Sequence, residues 1–216
     1  MEHSSKADKF FTKEENQRIE QTTRDVESRT IGEIVVMVVD SSDQYVEADM
    51  MFGVLIGSLI SLIITVEYLH SSVWFYIPIS LLFFFPAKYL LSKIPVFKSA
   101  FIGFSRKNHA VRDMALRAFY EKGLYKTKQN TGILFFISLL ERKVWVIADK
   151  GIHEKMKQET LNNFARTVSL GIREGHSCDA LCEAIKEAGK LLEKYFPVTP
   201  DDTDELTNKV ITESNK

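Results

Sequence analysis

From residue 50 to residue 87 the chain carries one formal charge, Glu67, and no other feature restricts its fold so tightly. Two apolar runs fill this region, residues 50–69 and 73–91. Each is close to the roughly 20 residues a helix needs to cross about 30 Å of hydrocarbon. Only residues 70–72 and their neighbours separate them, so the two helices are expected to be antiparallel neighbours. A helical hairpin in a soluble core would interrupt such a run with more charge. The expectation is a transmembrane hairpin, with the lipid bilayer as its surroundings.

The flanks predict an orientation. The short turn contains no Lys or Arg, whereas Lys88, Lys93, Lys98, Arg106, Lys107 and Arg112 follow the second run with no acid among them. A Lys/Arg excess marks the cytoplasmic side, and acids such as Asp43, Glu47 and Asp49 count for little. The expected placement is a multi-pass membrane protein with both termini cytoplasmic. Net charge is −1 and no basic face is interleaved with aromatics, so nucleic acid is not an expected partner. The opening MEHSSKADKFFTKEEN has no apolar stretch, and no cleaved signal is expected.

The rest reads as one α/β domain. Thr12 and Glu15 have capping-box spacing, which starts a helix at Lys13. "TIGEIVVMVV" is a first strand, opened by Gly32 and dense in Val and Ile. Past the hairpin, "NHAVRDMALRAFYEKGL" places Val111, Ala115, Ala118 and Phe119 on one helical stripe, with Gly123 as the C′ residue. "TGILFFISL" and "KVWVIAD" are strands two and three, joined closely enough to form a hairpin. Two amphipathic helices follow, one lined by Leu161, Phe164, Val168 and Ile172, the other by Leu181, Ile185, Ala188, Leu192 and Tyr195. Pro197 ends the second, and a polar tail follows in which Leu206 and Val210 are candidates for docking.

The expected organisation is residues 1–49 as the first part of a cytoplasmic domain, then 50–91 as the hairpin and 92–107 as a juxtamembrane segment. Residues 108–197 complete the domain, and 198–216 form the tail. Strand 1, the helix after residue 107 and strand 2 make a βαβ crossover, right-handed with parallel strands, into whose first leg the hairpin is inserted. Phe97, Phe101 and Phe104 share a helical face; a helix lying at the headgroups and a helix facing the domain core are both open readings.

"AFYEKGLYKTKQN" followed by "TGILFFISLLERKVWVIADKGI", paired upstream with "TIGEIVV", resembles the TPM domain family. Within it, the chain looks like the bacterial subgroup that carries a transmembrane hairpin inside the domain and ends in a "YFP…ELTN"-like tail, and this resemblance implies a bacterial inner (plasma) membrane. The family includes thylakoid-lumen proteins linked to photosystem repair and a receptor-accessory protein. The resemblance implies a three-layer α/β/α sandwich of the TPM type. It also implies a proposed acid phosphatase activity, assigned to some plant members, and metal binding near acidic loop residues. Soluble members commonly read Asp-Asn-Gly where this chain has Asn130-Thr131-Gly132, so that acid is absent here.

Parallel strands 1 and 2, with strand 3 returning antiparallel, bring certain residues to one sheet edge. They are Thr30, Gly32 and Glu33, then Thr131 and Gly132, then Asp149, Lys150 and Gly151. Two carboxylates, Glu33 and Asp149, and two hydroxyls among glycine-bearing turns are donors a divalent cation such as Ca²⁺ or Mg²⁺ would take. The same residues equally cap backbone groups at strand ends. If phosphoryl chemistry occurs, Asp149 is the candidate ligand or nucleophile, and Thr131, Gly132, Lys150 and Gly151 join Glu33 around the substrate, with Lys150 neutralising phosphate.

Cys178 and Cys182, the only cysteines, lie four apart on a helix, where disulfide geometry is poor; with His176 they supply three soft ligands where structural zinc takes four. No nucleophile elbow, phosphate-binding Gly-Lys-Ser/Thr loop or dinucleotide fingerprint occurs. Glu67 is a candidate for a proton path or a carboxylate that reaches water at the outer interface. The expected role is a binding or accessory protein acting on assembly, stability or turnover of a membrane-protein partner. The alternative is a metal-assisted acid phosphatase at the Asp149 edge.

Overall fold

The computed structural model describes residues 5–69, 73–127, 129–198 and 206–213. The expected turn at 70–72, and tail residues 199–205 and 214–216, lie outside the described residues, as do the side chains of 91–93 and 95–97, Phe97 among them. The chain forms two compact units: Met1–Asp43 with His109–Lys216, and Gln44–Asn108.

The first unit is a mixed α/β fold. Its sheet has the order β3-β2-β1-β4, with β1 Glu33–Val39, β2 Gly132–Ser138, β3 Lys143–Ala148 and β4 Ile211–Glu213. β1 and β2 are parallel and in register, Glu33 opposite Gly132 and Val39 opposite Ser138. β3 returns antiparallel to β2, with Ile133 opposite Ala148. All seven residues of both β1 and β2 are buried, as expected for strands covered on both faces. The three expected strands are present. The fourth, β4, was not expected: the end of the tail adds a parallel strand beside β1.

Alternation along the strands divides the core in two. Ile34, Val36, Val38, Ile133, Phe135 and Ile137 meet α1 (Lys13–Glu27), α7 (Gln158–Glu174) and α8 (Ser177–Tyr195) through Ile19, Val26, Leu161, Val168, Leu181 and Ile185. Val35, Met37, Val39, Leu134 and Phe136 face the other way, toward Val111, Ala115, Ala118 and Phe119 of α5 (Phe104–Glu121). Helices on both faces give the three layers. Full burial of each such aliphatic or aromatic side chain stabilises the fold by about 1.5–3 kcal/mol. The capping box is formed: Thr12 Oγ1 accepts from Glu15 N–H at 3.1 Å, and Glu15 Oε2 accepts from Thr12 N–H at 2.8 Å.

The second unit holds α2 (Val46–Tyr68), α3 (Val73–Lys93) and α4 (Pro95–Phe101). α2 and α3 are each long and apolar enough to cross a membrane. α2 buries Gly53, Gly57, Ser61 and Thr65, an every-fourth-residue stripe of small side chains. A Cβ on Gly57 would stand 2.9 Å from the carbonyl oxygen of Ser80, so the two backbones touch there. This is how helices associate in lipid, where small residues allow close approach and hydroxyls bridge. Ser61 Oγ donates to the Tyr76 carbonyl at 2.6 Å, and Ser58 and Tyr76 share a hydroxyl–hydroxyl bond of 2.5 Å. The other faces are bare: Val54, Leu55, Leu59, Leu62, Trp74, Ile77 and Leu81 are all more than half exposed.

At the start of α2, Asp49 pairs with Lys98 at 3.0 Å and Glu47 with Arg106 at 2.9 Å. Acids in a first helical turn also suit the helix dipole. Phe101 meets Phe52 edge-on at 5.4 Å, and Phe104 is 74% exposed.

Candidate functional site

The candidate site is built where β1 and β2 begin and β3 ends. Glu33 opens β1, and its N–H donates to the Thr131 carbonyl at 3.2 Å. Gly132 opens β2, and its carbonyl accepts from Asp149 N–H at 2.9 Å. Gly151 N–H donates to the Asn130 carbonyl at 3.1 Å. Backbone bonds thus draw the three predicted segments to one sheet edge.

The side chains there are largely committed. Thr30 Oγ1 donates to the Phe196 carbonyl at 2.5 Å and accepts from Gly32 N–H at 3.1 Å. Thr131 Oγ1 donates to the Ile31 carbonyl at 3.0 Å. Asp149 caps the four-residue helix α6 (Lys150–His153), its Oδ1 accepting from Lys150 N–H at 2.7 Å. Its other oxygen, Oδ2, is buried and receives no hydrogen bond. Glu33 is 6% exposed, and Lys150 is exposed.

Among the described residues, no three His, Cys, Asp or Glu side chains cluster closely enough to hold a metal ion. With both hydroxyls occupied, the set does not make the cage of about six to eight oxygens that Ca²⁺ takes. Mg²⁺ asks less of a protein, one or two carboxylates with water and phosphate completing the shell, and Asp149 Oδ2 is a donor of that kind. His153 closes α6.

A second polar cluster, missed from the sequence, lies at the opposite ends of β1 and β2, where open α/β sheets usually bind ligands. Glu141, 5% exposed, accepts from Ser42 N–H at 3.0 Å through Oε1 and from the Ser138 hydroxyl through Oε2. Ser42 Oγ donates to Ser138 Oγ at 2.9 Å. The signal available was Ser138 and Glu141 three apart at a hairpin bend. The arrangement ties the loop after β1 to the β2–β3 turn. Cys178 and Cys182 are free and buried on α8, and burial, with Cys182 beside it, pushes the Cys178 thiol from 9.0 up to about 12. A thiol held neutral is neither a ready nucleophile nor a ready metal ligand.

The family model of the TPM domain matches residues 102–191, from the start of α5 to near the end of α8. Over those residues the chain is similar to the TPM domain. The match takes in β2, β3 and the Asp149–Gly151 turn of the candidate site; β1 lies before it. One solved structure, the BA42 protein of the psychrophilic bacterium Bizionia argentinensis, superposes with a TM-score of 0.59 at 22% identity. The superposition covers 94% of this chain and 96% of that one, and it shows that the fold is shared. No curated protein matches the chain.

Proposed function

We propose that this protein is a binding or accessory component of a bacterial inner membrane, acting on assembly, stability or turnover of a membrane-protein partner. In this reading α2 and α3 span the bilayer and both termini lie in the cytoplasm. The TPM domain, assembled from the residues before and after the hairpin, works at the membrane surface. The Lys/Arg excess after α3 supports the orientation. The observation that carries the functional reading is the state of the candidate edge: both of its threonine hydroxyls and one Asp149 oxygen are bonded to backbone groups. Those bonds stabilise strand ends and leave little for a substrate. Affinity purification from membranes in mild detergent should recover the same membrane protein in independent preparations. Failure to do so would remove this reading.

One observation favours a second reading, metal-assisted phosphomonoester hydrolysis at the same edge: Asp149 Oδ2, buried and without a donor, is free to bind a cation or attack phosphorus. Purified protein supplied with Mg²⁺ should then release phosphate, and Asp149→Ala should abolish release while the fold persists. Silence across phosphomonoesters and divalent metals would end it.

A further inference from the structure

The outer edge of β1 is covered along less than half its length. β4 pairs only with Met37, Val38 and Val39. Backbone groups alternate along β1: Glu33 N–H goes to the Thr131 carbonyl, and the Val39 carbonyl receives Leu139 N–H at 3.0 Å, so odd-numbered residues turn to β2. Even-numbered residues turn outward. Asp40 N–H meets the Glu213 carbonyl at 3.2 Å, whereas Ile34 N–H meets Glu27 Oε1 at 2.8 Å, a side chain standing in for a strand.

The segment Leu206–Glu213 holds this edge by a small set of contacts. Asn208 donates its side-chain amide to Glu27 Oε2 at 2.7 Å, Lys122 reaches Glu213 at 2.6 Å, and Thr212 donates to Asp8 at 2.5 Å. Leu206 and Ile211 rest on one core cluster and Val210 on the other, all three partly buried. The Thr212–Asp8 pair is exposed and the other two are part-buried, so water reaches part of this set, and a three-residue strand opens locally without unfolding the sheet. Beneath it lies EIVVMVV, wholly buried, and a long β-branched edge is a template for pairing with another strand.

We propose that Leu206–Glu213 is a removable cover, and that the β1 edge it vacates receives an extended segment of a partner protein, added parallel to β1. Main-chain bonds would supply affinity, and side-chain chemistry the choice of partner. The cover itself displays that chemistry: apolar residues that straddle the sheet edge, a carboxamide for Glu27 and a carboxylate for Lys122. The existence of a partner rests on the accessory reading; removal of the cover does not.

Amide exchange on the full chain in detergent micelles tests the cover. The Val38 and Asp40 amides should exchange about 100-fold or more faster than Val35 and Met37, which face β2. Ile211→Pro should strip protection from Val38 and Asp40 while Val35 and Met37 stay protected. A synthetic peptide of residues 204–216 should restore that protection, and the same peptide carrying Ile211→Pro should not. Equal protection of the two sets in the full chain overturns the proposal. So does failure of the peptide to bind a variant whose Val35 and Met37 amides remain protected. Peptide binding without any partner in the membrane purification would leave the cover standing, and would remove the accessory reading together with the partner's place on β1.

Discussion

Gly151 donates its amide to the Asn130 carbonyl at 3.1 Å, and no side chain fits on that glycine: a Cβ there would stand 2.8 Å from this oxygen and 2.6 Å from that of Gln129. Gly132 is confined in the same way, with a Cβ falling 2.7 Å from the Leu124 carbonyl. The Thr-Gly and Ala-Asp-x-Gly-Ile elements are therefore demands of backbone crossing backbone. Gly151→Ala should destabilise the domain by about 1–3 kcal/mol, as overpacking against rigid atoms does. Chemical denaturation read by tryptophan fluorescence checks this. Gly103→Ala, where nothing lies within 4 Å, serves as the unaffected comparison.

Glu141→Ala should cost about 2–3 kcal/mol. It leaves the Ser42 amide and Ser138 hydroxyl buried without their acceptor, and an unsatisfied buried donor loses more than its bond was worth. Glu141→Gln, which keeps an acceptor, should lose less. The order of the two variants in thermal unfolding is the test.

Gly57→Leu should weaken the contact between α2 and α3, because the new side chain would meet the Ser80 backbone. Lower thermal stability in detergent is expected, read by circular dichroism. Leu59→Ala, on the bare face, should change little. Equal effects of the two substitutions would contradict the small-residue seam.

Cys178 gives a pH dependence with a defined sign. Its folded pKa, about 12, lies above the ordinary 9.0. Its contribution to stability is fully present below pH 9 and is lost as the pH rises toward 12. At pH 8 the folded protein should therefore react with iodoacetamide far more slowly than the denatured chain. Mass spectrometry of the α8 peptide reads both. Equal rates would show that the thiol is not held neutral.

The elements legible in the sequence are those whose signal is local or periodic. The Thr12–Glu15 capping box, the Val/Ile density of β1, the stripes of α7 and α8 and the length of the two apolar helices all translate directly into structure. β4 was not legible because three residues, Ile211–Glu213, have no periodicity, and their reason to be extended is the open edge of β1, more than 170 positions earlier. The α2 seam was hidden because hydropathy averages Gly53, Gly57, Ser61 and Thr65 into their apolar neighbours. At the candidate site the sequence placed Glu33, Thr131 and Asp149 on one edge, but residue types alone do not say whether a hydroxyl turns to a ligand or to the nearest carbonyl. The structure shows the carbonyls of Phe196 and Ile31 taking both hydroxyls.

The interrupted crossover also sets a schedule for synthesis. Residues 40–131 separate β1 from β2, so at about 5–20 residues per second a ribosome exposes β1 for roughly 5–20 s before its parallel neighbour is made. Throughout that interval seven consecutive residues fit for a sheet hang on the nascent chain without one, and β4 emerges last of all. The order in which the strands leave the ribosome thus runs against the order in which they lie in the sheet, and the first strand made waits longest for its neighbours.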